Sequence, residues 1–539
     1  MSFALLGRSS LSGPFEPFEA VTIGDLLRDR AEATPDIIVL KEIDADGQIG
    51  RGWTYAELLA DTERIGRALA SRHQPGARIA VYANNIPEWV LLELGSALAG
   101  TVLVTANPAF QARELQYVLD QSRAEALYYV DEFRGNPMRA IAEQVCTELP
   151  AIHTLIDLRD HSALFEGEER GVLPPVRPED IAQIQYTSGT TGHPKGALLH
   201  HRGLVQNARD IMGRAGLGEG DVFLHVMPMF HTTGCAMCVL GAIGASATML
   251  LPPLFDPALV AKILDRERPS LLLAVPTMLV GLLAEHAGGR YDFTSLKRIV
   301  SGGAPVAPEL IARARAASRA IVQVVYGQTE CSPGITMSRP DDPADSIGSA
   351  GQPLPNIEVA IFDPRSGEIA AVGEEGEICT RGYHVMGGYD GNPDATAAAI
   401  DSGGWLHTGD LGHLDARGFL TISGRIKDMI IRGSENLYPA EIELAMLEHP
   451  DVSEVAVVGV PCPIYGEQAV CFMRPSGERR PDAAEMKVFI RERLSPQKTP
   501  AHWLWVDKWP LTGSGKIQKF RLAEQFESSA FATQSSSSS

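Results

Sequence analysis

Apolar and polar positions along this chain fall in alternating blocks that predict strands and helices in turn. Residues 78–83 read Arg-Ile-Ala-Val-Tyr-Ala, an apolar run of strand length, and residues 87–99 have the length and apolar content of a buried helix. Residues 101–104 predict the next strand, so 78–104 forms a β-α-β unit, which implies parallel pairing. A helix over 113–120 and a strand over 126–130 extend the alternation. Further apolar runs at 181–184, 299–300 and 321–325 each lead into a turn rich in glycine or hydroxyl residues. The longest apolar stretch, 235–251, contains Gly241, Gly244, Ser246 and Thr248 and stops at Pro252-Pro253. It is short and interrupted for a membrane span and predicts a core helix running into a strand. The arginines of 311–319 read as the solvated face of a helix.

Near residue 420 the texture changes, as Gly418, Gly424 and Gly433 punctuate a segment carrying Arg425, Lys427 and Asp428. Beyond it, a strand over 455–460, an amphipathic helix over 484–494 and a strand over 503–506 describe a small α+β unit. The fold class predicted is α/β: a large layered N-terminal domain with parallel or mixed sheets over 1–424, and a small α+β domain over 425–527. Residues 528–539 drift into serine and read as a disordered tail.

Length agrees with this division, since 539 residues exceed what one hydrophobic core sustains. A net charge of -20, with no basic stripe to offset it, argues against nucleic-acid binding. Seven cysteines do not make a disulfide framework, and with no signal peptide at the start they suggest a cytoplasmic protein. Cys235 and Cys238 form a lone C-x-x-C without a second pair, better read as buried thiols than as a metal or redox motif.

The strongest chemical signal is Tyr186-Thr187-Ser188-Gly189-Thr190-Thr191-Gly192-His193-Pro194-Lys195-Gly196-Ala197. Its glycines let the backbone approach an anion, its hydroxyls supply donors, and Lys195 adds a positive charge. A Walker A loop would need G-x-x-x-x-G-K-[ST], and no glycine here has that spacing to a lysine. The loop is expected to leave a buried sheet at its end, where ligands bind in open α/β folds.

Five other segments carry chemistry in sequence order: Ser301-Gly302-Gly303-Ala304-Pro305, Tyr326-Gly327-Gln328-Thr329-Glu330, His407-Thr408-Gly409-Asp410, Gly424-Arg425-Ile426-Lys427-Asp428 and Gly513-Ser514-Gly515-Lys516. Singly each has an ordinary reading, Asp410 as a turn residue, Lys516 as a solvated lysine, His231 as a core histidine. Together, from about residue 50 to residue 522, they resemble the acyl-adenylate-forming superfamily of acyl-CoA synthetases, luciferases and peptide-synthetase adenylation domains. Residues 433–443 and 326–333 are most similar to the fatty and medium-chain acyl-CoA ligases. The chain departs from that pattern at Ser434, where glycine is usual, and at Thr233-Gly234-Cys235, where Gly-Gly is more common.

The resemblance implies attack of a carboxylate on the α-phosphate of ATP to give acyl-AMP and pyrophosphate, followed by displacement of AMP by a thiol. It implies ATP, Mg²⁺ and coenzyme A as cofactors and co-substrates, a carboxylic acid as partner, and it allows a homodimer. Thr187, Ser188, Gly189, Thr190, Thr191, Gly192 and Lys195 would hold the phosphates, with Glu330 and Thr190 at the metal. Gly302, Gly303, Ala304, Pro305, Tyr326, Gly327, Gln328, Thr329, Asp410 and Arg425 would bind adenine and ribose. Lys516, His231 and Arg425 would be catalytic, and His231, Gly302, Gly303 and Cys331 would border the acyl pocket. Lys427 would be the hinge of a mobile small domain, and Gly433, Ser434 and Glu435 would line the coenzyme A tunnel. Two alternatives stand beside this reading: transfer to a carrier-protein phosphopantetheine, and a nucleotide-binding protein without catalysis.

Overall fold

The protein is described by a computed structural model over residues 5–187, 194–432, 435–513 and 515–528; at 435 and 436 the backbone alone is described. Among these residues, four sheets organise the chain. The six-stranded sheet runs Thr154–Asp157, Ala126–Tyr129, Arg78–Tyr82, Val102–Ala106, Ile181–Thr187, Lys195–His200. The expected β-α-β unit is present, with Arg78 registered to Val102 in parallel across the helix Pro87–Ala99. Its second strand starts one residue later than the apolar run suggests. Gly100 turns the helix off in the left-handed region, and Thr101 is bound back to Ser96 through N–H to carbonyl at 3.1 Å and hydroxyl to hydroxyl at 2.8 Å.

Every residue of Pro87–Ala99 is buried, which explains an apolar pattern with no polar face. Tyr55–Arg72 packs on it closely: a Cβ on Gly95 would lie 2.7 Å from Cγ2 of Ile65. Residues 235–251 form the expected core element, beginning as a π-helix over Thr233–Leu240, continuing through Gly241–Gly244 and ending in the strand Thr248–Leu251. The arginines of Pro308–Ser318 face outward as expected, while Leu310, Ile311 and Ala314 are buried.

A nine-stranded sheet holds Arg298–Gly302 and Ile321–Gly327 as parallel neighbours. A five-stranded antiparallel sheet pairs Leu406–Leu414 with Leu420–Arg425. The chain then passes through the short turn Ile426–Asp428 into Ile430–Arg432, a strand of the last sheet. Along Val452–Cys462, Val455 and Val457 point into one small core with Ile442 and Met486, while Ala456 and Val458 point into another with Leu522. That period of two gives the last sheet two covered faces, an α+β arrangement.

Candidate functional site

The site is assembled where two parallel strands end side by side. Gly302 registers with Val325, so the turns after Arg298–Gly302 and Ile321–Gly327 open at the same edge. Their small residues are sterically required. A Cβ on Gly302 would lie 2.2 Å from the Val325 carbonyl oxygen, and one on Gly327 would lie 1.9 Å from the Pro333 carbonyl oxygen. Gly303 has φ +79°, and it, Ala304 and Pro305 are exposed. Gln328 and Thr329 follow, partly buried, with the Cys331 N–H donating to the Gln328 carbonyl at 2.9 Å.

Tyr326 is buried and its hydroxyl donates to Oδ2 of Asp410 at 2.8 Å. Arg425, registered with Asp410 across adjacent strands, donates from Nε to Oδ1 at 3.0 Å. Burial pushes the Asp410 carboxyl up, while Arg425, Tyr326 and Lys516 pull it back toward the charged form. A second carboxylate supports this turn from below, and the sequence reading missed it. Glu377 accepts the Gly409 N–H on Oε1 at 3.0 Å and pairs through Oε2 with Nδ1 of His407 at 2.8 Å.

A second polar cluster forms around Glu330, which is 8% exposed. Tyr389 donates its hydroxyl to Oε1 of Glu330 at 2.8 Å, and the Lys195 ammonium lies 4.6 Å from the centre of the Tyr389 ring. Residues 386–390 are pinned beside the strand Lys195–His200: the Met386 N–H donates to the Glu330 carbonyl at 2.9 Å and the Asp390 N–H to the Gly196 carbonyl at 2.8 Å. Arg78 and Arg123 hold the Asp390 carboxylate at 2.8 and 3.0 Å. Tyr389 and Asp390 sit in Gly387-Gly388-Tyr389-Asp390, an irregular segment whose role has no periodic signal. A buried carboxylate suits Mg²⁺, a hard ion that takes its remaining ligands from phosphate and water.

The strands on either side of the glycine- and hydroxyl-rich loop are antiparallel, Thr187 registering with Lys195. This is a hairpin loop, unlike the strand-to-helix turn of open α/β phosphate sites. Both ends are tied to the helix Ala112–Ser122: the Tyr186 hydroxyl bonds Gln121 and the Val118 carbonyl, and the Tyr117 hydroxyl donates to the Pro194 carbonyl at 2.9 Å. Thr187 is partly buried, its hydroxyl 3.4 Å from the Lys195 carbonyl. Ser188, Gly189, Thr190, Thr191 and Gly192 lie outside the described residues. So do Gly433 and Ser434, and Glu435 opens the strand Glu435–Leu437 with its side chain undescribed.

Lys516 reaches this site from the far end of the sequence. Its turn is closed internally, with the Thr512 N–H on the Lys516 carbonyl at 2.7 Å and the Lys516 N–H on the Thr512 hydroxyl at 3.0 Å. Its Cε comes 3.3 Å from where a Cβ on Gly303 would stand. Burial and Arg425 push the Lys516 pKa down, and Asp410 and Glu330 hold it up. His231 lies within reach of the same charge: burial, with Lys516 adding repulsion, lowers its pKa to about 3. It is a neutral imidazole at physiological pH. Cys331 is fully buried, its thiol pushed up by burial and by the charges of Glu330 and Asp410. Lys427 is exposed in the turn between the two last sheets.

Residues 27–390 match the family profile of AMP-binding enzymes, and residues 441–516 that of the AMP-binding enzyme C-terminal domain. The putative acyl-CoA synthetase YngI of Bacillus subtilis (strain 168) is 35% identical over 535 residues, 94% of this chain and 97% of the relative. The mitochondrial medium-chain acyl-CoA ligase ACSF2 of Rattus norvegicus is 35% identical over 551 residues, 94% of this chain and 88% of the relative. Among solved structures, ATP-bound MatB from Rhodopseudomonas palustris superposes with a TM-score of 0.83 at 27% identity, covering 94% of this chain and 99% of that one. With this match over most of its length, the chain belongs to the AMP-binding enzyme family of adenylate-forming proteins, as an AMP-forming acyl-CoA synthetase.

Proposed function

We propose that this enzyme activates a medium-chain or long-chain aliphatic acid, or a bulky aryl or sterol-derived one, as its acyl-AMP and transfers the acyl group to coenzyme A. A carboxylate oxygen attacks the α-phosphorus of ATP, the bond to the bridging oxygen breaks, and pyrophosphate leaves. The coenzyme A thiolate then attacks the acyl carbon, the mixed-anhydride C–O bond breaks, and AMP departs.

The observation that carries this reading is the placing of Lys516 against Gly303, at the strand edge where Tyr326 bonds Asp410. Two anions meet in the first step, and an ammonium between them lowers their repulsion. Asp410, braced by Tyr326 and Arg425, keeps acceptor capacity for two ribose hydroxyls. Gly302, Gly303, Ala304 and Pro305 would form the adenine wall with the turn Tyr326 to Thr329. Glu330 would hold Mg²⁺, which screens phosphate charge when bound. Thr187 and Lys195, with the loop between them, would hold the leaving phosphates. Neutral His231 would orient the acid without adding charge.

For the second step, a division at 424–425 would let 425–527 rotate about Lys427 and bring 433–435 to the thiol tunnel. Candidate acyl walls at 227–238, 300–304 and 328–335 include buried Met227, Met229, Cys235 and Ala236, and the likeness to a medium-chain acyl-CoA ligase supports an aliphatic substrate. Such a pocket separates acids by only about 1–3 kcal/mol per methylene. Free thiols at all seven cysteines fit a reducing cytoplasm, and among the described residues no helix is long and apolar enough to cross a membrane.

Pyrophosphate release over a panel of carboxylic acids, with and without coenzyme A, tests the reading. Acid-dependent release with thioester formed only when coenzyme A is present supports it. Release with transfer to a carrier-protein phosphopantetheine instead, or binding of ATP with no release, would replace it with one of the two alternatives.

A further inference from the structure

Lys516 must reach the reaction centre from a turn that belongs to the C-terminal part of the chain. What holds that turn against the large domain is a specific seat. Thr277, in the first turn of the helix Pro276–His286, donates its hydroxyl to the Gly515 carbonyl at 3.1 Å. The residue bonded is the immediate neighbour of Lys516. Gly515 has φ +82°, a conformation other residues rarely adopt. Two residues earlier, Gly513 lies flush on Asn107 and Phe230: a Cβ there would come 2.6 Å from Nδ2 of Asn107 and 3.0 Å from Cζ of Phe230.

Both sides of the seat are fixed from behind. The Asn107 amide oxygen accepts the Ala109 N–H at 2.9 Å, and the Phe230 carbonyl accepts the Thr105 hydroxyl at 2.9 Å. Thr105 is bonded in turn to Gln185 at 3.1 Å, on the strand that leads into the phosphate loop. Phe230 directly precedes His231, so one corner of chain carries both the imidazole and the surface on which the lysine turn rests.

We propose that Thr277 and Gly513 are positioning residues for adenylation: Thr277 latches the Gly515 carbonyl, Gly513 permits the close approach to Asn107 and Phe230, and together they place the Lys516 ammonium. Neither touches substrate. The proposal rests on the two-step reading above and predicts a split between the steps. The latch is made only when the lysine turn is seated, so it contributes to acyl-AMP formation and not to thioester formation.

The test measures each half-reaction separately in the full-length enzyme. For Thr277→Val, carboxylate-dependent pyrophosphate release falls about fivefold, the loss of one hydrogen bond, while conversion of supplied acyl-AMP and coenzyme A to thioester stays at the wild-type rate. Thr277→Ser, which keeps the hydroxyl, restores release. Gly513→Val, which forces the turn off Asn107 and Phe230, lowers release more than tenfold with the same sparing of the second step. Equal loss in both steps, or unchanged release in Thr277→Val and Gly513→Val alike, overturns the proposal. Absence of pyrophosphate release in the wild-type enzyme with every acid tried would instead strike the two-step reading itself.

Discussion

The Tyr326 hydroxyl is bonded at 2.8 Å to Asp410, a carboxylate separated from it by more than eighty positions and carried on a different sheet. The bond fixes one oxygen of Asp410 while Arg425 fixes the other, so the remaining lone pairs point in set directions. Tyr326→Phe keeps the ring and removes the donor. Hydrogen bonds to charged groups contribute about 1.5–3 kcal/mol, so the KM for ATP should rise at least tenfold with a smaller change in kcat. Steady-state kinetics in ATP check this, and an unchanged KM would detach Tyr326 from ribose binding.

Tyr389 links two charged residues, with Lys195 over its ring and Glu330 on its hydroxyl. Tyr389→Phe leaves the cation–π contact and removes the donor that orients Glu330. Pyrophosphate release should then require more Mg²⁺ for half-maximal rate, by about fivefold for one lost hydrogen bond. A Mg²⁺ titration at fixed ATP measures it.

Adenylation should fail as pH rises, and earlier than an ordinary lysine would dictate. The Lys516 pKa is lowered from 10.5 by burial and by Arg425, so in the empty enzyme the ammonium loses its proton below that value. Bound ATP supplies negative charge and moves the loss upward. The alkaline limb of kcat should therefore lie above that of kcat/KM for ATP. On the acid side, His231, with a pKa of about 3, contributes no limb between pH 5 and 8.

Folding stability should decline in mild acid. His201 is buried with its Nδ1 accepting the Ile23 N–H at 3.3 Å, and burial lowers its pKa to about 4; His225 is fully buried at about 3. In the unfolded chain both bind protons near 6.5, so below that pH the unfolded state takes up more protons and is favoured. The melting temperature should fall from pH 6.5 toward pH 4. His225→Asn should make the decline shallower, whatever it does at neutral pH.

The parts legible in sequence are those with local signals. Residues 78–104 carry an apolar block pattern that fits a buried β-α-β unit, and Gly302, Asp410 and Lys516 stand in segments whose order is informative as a set. Tyr389, Glu377 and Thr277 were not legible. Tyr389 reaches Glu330 from an irregular segment, Glu377 acts by receiving a backbone N–H, and Thr277 meets its partner on a turn 238 positions away. The phosphate loop misled in one respect. Its composition predicted a loop at a sheet end, but not the antiparallel return through Lys195–His200 that makes it a hairpin.

On the proposed reading, Lys516 serves the first chemical step and not the second. Lys516→Ala, assayed for both, tests it most directly. Acid-dependent pyrophosphate release should fall by orders of magnitude, while supplied acyl-AMP and coenzyme A still yield thioester at close to the wild-type rate. Loss of both steps to the same extent would contradict the assignment.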